Sequence, residues 1–217
     1  MAEISLNEPC ATPRRRDPAI TRRKLLIAAR REFARNGLAG ARVDEIAAQA
    51  GVNKQLVYHY FGDKDAIYFA VLEWVYDELK IYENQHDLHG LSPDTVLRKL
   101  IGRSFDYLVA HPDLVRILND ENRSNAVHLR SLERQHDISS PLLRMFSKTL
   151  ARGVREGLFR KGVNPEQLYI SITALSYFYF SGMPSLSTIL KKDLASKAAL
   201  RQRRKHVVDF VMQSLRP

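Results

Sequence analysis

Apolar residues recur at helical spacing along most of the chain. Leu25, Ala28, Ala29 and Phe33 mark one amphipathic face, which Asn36-Gly37 closes. Val43, Ile46, Ala47 and Ala50 repeat the pattern over a shorter stretch that Gly51 interrupts. Asn53 is a good N-cap for a third short helix, which runs to Phe61 and stops at Gly62. Asp63 can cap a longer helix through Ile67, Val71, Trp74, Val75 and Leu79 to about Tyr82. Ser92-Pro93, a cap with proline at the first helical position, opens a helix carrying Val96, Leu100, Phe105, Leu108 and Val109. His111-Pro112-Asp113 breaks it; residues 114–118 read as a short turn of helix and the polar residues 119–124 as a loop. Further helices are expected around 142–154, 165–181 and 195–215, with Gly182-Met183-Pro184 before the last. No stretch alternates with a period of two, so the expected class is all-α, without repeats or low-complexity tracts.

Charge adds a partner to this picture. The 217 residues carry a formal net charge of +10, and a basic balance of this size points to a polyanion such as nucleic acid or a membrane surface. No apolar run approaches the ~20 residues of a membrane span, which argues for no membrane partner. The N-terminus lacks a signal-peptide core, and Cys10 is the only cysteine; both fit a cytoplasmic protein without disulfides. Residues 1–18, with three prolines and Arg14-Arg15-Arg16, read as a mobile basic arm able to enter a minor groove.

The pattern at residues 43–61 is a helix, a glycine turn and a second helix. Gly51 supplies the positive φ of a sharp turn, the small Ala47 and Ala50 let the helices cross closely, and Val52 and Val57 plug the angle between them. In a helix-turn-helix the N-terminal residues of the second helix meet base edges in the major groove. Here those are Asn53, Lys54 and Gln55; lysine can donate to guanine and glutamine can pair with adenine. Tyr58, His59, Tyr60 and Lys64 follow, all able to donate to phosphates.

Residues 25–72 resemble the N-terminal domain of the tetracycline-repressor (TetR) family. The matching residues are Leu26, Ala28, Ala29, Phe33, Asn36-Gly37, Val43, Ile46-Ala47, Ala50-Gly51-Val52, Tyr58, Tyr60-Phe61 and Lys64. The remainder of the chain fits the family in length and helix order. The resemblance implies an N-terminal three-helix DNA-binding domain, here 19–65, and a larger helical effector-binding and dimerisation domain, here 66–217. It implies a repressor that binds a double-stranded DNA operator as a homodimer and is released by a small-molecule effector. It makes Lys64, Tyr58 and His59 phosphate contacts and Lys54 and Gln55 base readers. The family's recognition helix usually ends in two aromatics, a histidine and a phenylalanine; Tyr58-His59-Tyr60-Phe61 departs from this and leaves open which ring meets phosphate. Arg42 stands where threonine is more usual and can add a phosphate or groove contact. Asn53-Lys54, the run from Lys64 to Leu72, and a proline-led helix at Pro165 with Tyr179 resemble the pyrimidine-utilisation-regulator type within the family.

The helix led by Pro165 has apolar residues on two sides, so it is expected between two layers. Leu168, Ile172, Leu175 and Tyr179 are assigned to a dimer bundle with Val207 and Val211 of the last helix. Trp74, Leu79, Phe105, Leu118, Phe146, Thr173 and Tyr177 are the candidate effector pocket, with Arg123 and His128 as candidate anchors for a ligand carboxylate or carbonyl. No glycine-rich phosphate loop, nucleophile motif or cofactor site is present, so no enzyme activity and no cofactor are expected. His86 and His89 beside Asp87 lack a third ligand, and no metal is assigned there. Lys191, Lys192, Lys197, Arg201, Arg203, Arg204 and Lys205 read as a solvated helix face or dimer rim. The residues alone leave two classes open: a ligand-responsive DNA-binding repressor, or a basic helical binding or scaffolding protein without operator specificity.

Overall fold

In a computed structural model that describes residues 17–85, 88–135 and 141–217, eleven helices and no strands form among the described residues. The first four are α1 (Pro18–Gly40), α2 (Val43–Ala50), α3 (Lys54–Phe61) and α4 (Lys64–Asn84). Next come α5 (Pro93–Ala110), α6 (Pro112–Arg123), α7 (Val127–Gln135) and α8 (Pro141–Arg155), then α9 (Pro165–Ser181), α10 (Met183–Leu190) and α11 (Lys197–Ser214). The expected caps form at Asn53, Asp63 and Ser92, and Asn164 adds another: each accepts a hydrogen bond from a first-turn N–H. Gly51 adopts the left-handed conformation, with φ 67° and ψ 37°, at the turn between α2 and α3.

Two cores stack along the chain. The first is built on Leu25, Phe33, Ile46, Val57, Ile67, Tyr68 and Val71, and continues into Tyr107, Leu114, Ile117 and Leu132. The second joins Leu97, Leu100 and Ile101 to Phe146, Leu150, Ile172, Val207 and Val211. The first core thus crosses the expected domain boundary at 65/66, and α4 runs unbroken through it. The N-terminal unit is bolted to the rest by shared apolar surface rather than linked by a tether.

The structure corrects the expected loop at 119–124. Helix α6 continues to Arg123, and α7 follows after a short turn. The polar residues that suggested a loop are tertiary caps. Asp120 accepts the Leu38 N–H at 2.7 Å where α1 kinks at Gly37, whose φ is 65°. Glu121, almost wholly buried, accepts the N–H groups of His128 and Leu129 at 2.8 and 2.9 Å, closing the start of α7. It also accepts the Tyr68 hydroxyl at 3.3 Å. The expected break at 182–184 likewise becomes the start of α10, with Pro184 in its first turn.

Candidate nucleic-acid interface and effector cavity

The DNA-facing unit is organised by a charge that the apolar pattern conceals. Glu32 falls on the inner stripe of α1 beside Phe33 and is buried. It accepts from Asn36 Nδ2 at 2.8 Å, from the Arg42 N–H at 3.2 Å and from Gln49 Nε2 at 3.3 Å. One carboxylate therefore fixes the angle at which α2 leaves α1. A charged residue at helical spacing within an apolar stripe is the signal that could have marked it.

On α3, Val57 points into the core while Lys54, Gln55, Tyr58 and His59 are exposed on the outer side. Asn53 is committed partly to capping, its Oδ1 accepting the Gln55 N–H at 2.9 Å. Lys54 Nζ lies 2.9 Å from Asp44 Oδ1 on α2 and 5.9 Å from the centre of the Tyr58 ring. The carboxylate holds the Lys54 amine protonated, raising its pKa by a hydrogen bond and by its charge. Tyr60 is half-buried against the first core, so the exposed rings of the unusual Tyr58-His59-Tyr60-Phe61 ending are Tyr58 and His59. Arg42 is exposed at the N-cap of α2. Lys64 opens α4 with its amine 3.4 Å from the Ala39 and Ala41 carbonyl oxygens, near the C-terminal end of α1 where a cation is favoured. The Arg22 guanidinium sits 5.2 Å from the Phe61 ring, tying α1 to the end of α3. The basic arm with Arg14-Arg15-Arg16, together with Cys10, lies outside the described residues.

Between the two cores lies a cavity of about 280 Å³, walled by α4, α5, α6, α8 and α9. Of the expected pocket residues, Leu79, Leu118, Thr173 and Tyr177 line it. Trp74 does not; it stacks under the Arg30 guanidinium at 4.9 Å, at a junction where Arg30 also pairs with Glu78 and Asp113. Phe105 packs on Tyr179 and Phe180 in a separate small cluster, and Phe146 is wholly buried in the second core. Arg123 is largely exposed and pairs with Asp120, and His128 lies against Glu121 and the Tyr68 ring. His128 stands on α7, which does not reach the cavity; the others sit on cavity helices but face other neighbours, because each helix presents three or four sides and only one meets the cavity.

Apart from Thr173 and Tyr177, the polar residues of the cavity wall stand outside the expected set. Five tyrosines, Tyr76, Tyr82, Tyr107, Tyr169 and Tyr177, line the cavity together with Glu83, Arg103 and Ser176. Tyr177 donates to Asn119 Oδ1 at 2.6 Å, and Glu83 accepts the Leu142 N–H at 3.3 Å. Arg103 lies over the Tyr82 ring at 4.4 Å. The Tyr107 hydroxyl, Ser176 Oγ and Arg103 Nε are buried without a hydrogen-bond partner. A buried donor without an acceptor costs about 1–3 kcal/mol. Burial pushes the Tyr107 phenol up to about 12 and raises that of Tyr76, so both remain neutral donors at physiological pH.

The expected dimer stripe is also corrected. Leu168, Ile172, Val207 and Val211 are buried in the chain's own second core, Leu175 is half-buried against it, and Tyr179 is buried with its hydroxyl donating to the Leu194 carbonyl at 2.7 Å. The large apolar residues that α9 leaves in solvent are Ile170 and Phe178, 55% and 60% exposed, with Phe210 of the adjacent α11. A stripe read from spacing alone does not say which of two apolar sides the chain buries itself. Within the basic run, Arg204 makes a two-pronged pair with Asp106 and Arg203 lies over Tyr179, so these two are packing residues rather than a solvated face.

Two stretches of the chain match known families. Residues 25–71 match the family described as bacterial regulatory proteins, tetR family, and residues 93–211 match the tetracyclin repressor-like C-terminal domain. The chain belongs to the TetR family. It is 32% identical over 196 residues to the transcriptional repressor NicS of Pseudomonas putida, covering 90% of this chain and 92% of that one. It is 25% identical over 212 residues to the transcriptional regulator RutR of Escherichia coli K12, covering 95% of this chain and 96% of that one. The crystal structure of SCO4942 from Streptomyces coelicolor superposes with a TM-score of 0.67 at 30% identity, covering 91% of this chain and 99% of that one. This TetR-family chain thus carries an N-terminal helix-turn-helix and a C-terminal helical domain. His86 and Asp87 lie outside the described residues; among those described, no three metal-ligating side chains cluster and no helix is long and apolar enough to cross a membrane.

Proposed function

We propose that this TetR-family regulator is a repressor that binds operator DNA as a homodimer and lets go when a small molecule occupies the α4–α9 cavity. One observation carries the reading: the two helices that wall the cavity on its DNA side, α4 and α6, are also the supports of the helix-turn-helix. Helix α4 contributes Tyr76, Leu79 and Tyr82 to the cavity and begins with Lys64 against the end of α1. Helix α6 contributes Leu114 and Leu118, and its Asp120 holds the Leu38 N–H at the kink of α1. A ligand that parts α4 from α6 displaces both supports. Moving a two-state equilibrium from nearly full to nearly empty needs about 5.5 kcal/mol of differential affinity, which two cavities in a dimer share.

On this reading Lys54 and Gln55 read bases, while Arg42, Tyr58, His59 and Lys64 contact the backbone and Asn53 fixes the start of the helix. The domain division falls near residue 65. The name of NicS, a transcriptional repressor, favours repression over activation. The dimer face is the exposed stripe of Ile170 and Phe178 with Phe210, large apolar residues whose exposure in a single chain calls for a partner. The test is selection of bound sequences from random DNA by the purified chain, followed by a metabolite screen for release. A palindromic consensus with half-sites about 34–36 Å apart, or a multiple, is expected. Binding without sequence preference would refute the reading.

A further inference from the structure

Resting on the reading of the cavity as an effector site, the donors on its wall point to the chemistry of the occupant. We infer that the cavity takes a compact aromatic acid, its carboxylate accepting from Arg103, Tyr107 and Ser176.

The argument begins with hydrogen-bond demand. Tyr107 and Ser176 are buried, and their hydroxyls have no acceptor; Arg103 Nε is in the same condition. Arg103 and Tyr107 stand one turn apart on α5, and Ser176 is on α9, which packs against α5. All three line the one cavity. Native proteins rarely leave such groups unpaired, so three orphaned donors carried by residues of one cavity wall mark the place of a missing acceptor. A carboxylate has the lone pairs to meet all three, and a guanidinium favours an anion over a neutral oxygen.

The donors' neighbours do not supply that acceptor. Arg103 gives one amino group to the Tyr82 carbonyl at 3.4 Å and stacks on that ring, which fixes the guanidinium in place. Glu83, the carboxylate on the wall, already accepts the Leu142 N–H. Burial keeps the Tyr107 phenol a neutral donor, and the charges within its electrostatic reach are Glu78, Arg30, Asp113 and, most weakly, Glu83. The rest of the wall is mostly tyrosine rings and leucines, with Ser104, Ile172 and Thr173 between them, which suits the flat face of a ring. A volume near 280 Å³ is at the small end of the ~300–1,000 Å³ typical of small-molecule sites, so one or two rings fill it.

The competing occupant is a cation held by Glu83 and the tyrosine rings. Four one-ring probes of matched size separate the two: benzoate, benzamide, benzylamine and toluene, titrated calorimetrically into the full chain without DNA. The expected order is benzoate, then benzamide, with toluene and benzylamine weaker than benzoate by roughly tenfold or more. Benzylamine or toluene within threefold of benzoate overturns the inference, as does absence of benzoate binding at millimolar concentration. Because no DNA is present, this outcome is independent of operator release. A chain that binds benzoate but never leaves its operator retains this site and loses the proposed function.

Variants supply a second readout that a structural role would not give. Tyr107→Phe and Ser176→Ala each delete an unpaired donor while keeping nearly the same shape. Each should raise the melting temperature of the ligand-free chain, by about 2–4 °C for the larger, and weaken benzoate several-fold. Arg103→Gln should abolish the preference for benzoate over benzamide. Tyr107→Phe and Ser176→Ala variants that both melt lower, with benzoate affinity unchanged, would show that these donors serve the fold, and the inference fails.

Discussion

At the DNA-facing end, Lys54 reaches Asp44, Lys64 reaches two carbonyls at the end of α1, and Gln55, Tyr58 and His59 stand in solvent. In the cavity, the Tyr107 and Ser176 hydroxyls have neither a protein partner nor solvent. On the proposed reading both surfaces await a ligand, but they wait differently. An exposed polar group loses nothing by waiting, because water satisfies it and is exchanged for phosphate on binding. A buried donor pays the desolvation cost until an acceptor arrives. The first surface is therefore stable when empty and sensitive to salt; the second is destabilised when empty and selective for the shape and polarity of what fills it.

The comparison depends on a rigid scaffold between the two surfaces, and the largest expected effect lies there. Glu121 satisfies two N–H groups of α7 and the Tyr68 hydroxyl from a buried position. Glu121→Ala should cost about 3 kcal/mol or more in denaturant unfolding, since it orphans several buried donors at once. A loss below about 1 kcal/mol would mean that solvent reaches this site and that the scaffold is softer than its burial indicates.

Next in size is assembly. Phe178→Glu places a charge on the exposed α9 stripe without touching either core. It should leave the unfolding midpoint nearly unchanged, convert the proposed dimer to monomer in sedimentation, and weaken operator binding by about 10²-fold or more through loss of bivalency. Ile172→Asp, by contrast, should unfold the chain, because Ile172 is core. If Phe178→Glu remains dimeric with full affinity, the dimer face lies elsewhere.

A smaller effect tests how the two surfaces communicate. Tyr177 on the cavity wall bonds Asn119, whose neighbour Asp120 bonds Leu38. Tyr177→Phe should leave operator affinity intact and reduce the change in that affinity on ligand binding by about fivefold. Trp74, the only tryptophan, sits at the Arg30 junction and not in the cavity, so its emission should report movement between α1 and α4 rather than ligand contact. An equal loss of affinity with and without ligand would show that Tyr177 is a packing residue.

The same contrast explains what could be read from the sequence. The helix-turn-helix is local: Gly51, the Asn53 cap and the apolar spacing from Val43 to Val57 are near neighbours in the chain, so their pattern specifies the geometry directly. The cavity is assembled from five helices, and which side of a helix faces it depends on packing between segments up to about a hundred residues apart. That packing turns Leu79 and Tyr177 toward the cavity and Phe105 and Phe146 away from it, and the spacing along each helix does not encode the difference. The polar residues 119–124 differ: Asp120 and Glu121 read as loop residues because their partners, at Leu38, Tyr68 and His128, are distant or lie in α7, a helix the spacing does not predict.

The smallest expected effect returns to the DNA-facing surface. Lys54 is assigned to a base edge, yet in the free chain its amine is bound to Asp44 across the α2–α3 angle. Both side chains are about half exposed, so the pair contributes little to stability, and Asp44→Asn should barely move the unfolding midpoint. Its weight falls on binding. Asp44 brings a negative charge to a surface that must approach phosphates, and it occupies an amine that would otherwise bind any of them. Asp44→Asn should therefore raise affinity for random DNA a few-fold and steepen the dependence of log K on log salt by up to about one. The gain for operator should be smaller, since there Lys54 already exchanges Asp44 for its base. Asp44 then contributes to selectivity by restraining Lys54 on every sequence where no better partner is offered. Equal gains on operator and random DNA would reduce its role to general repulsion, and no gain on either would place Asp44 away from the bound DNA.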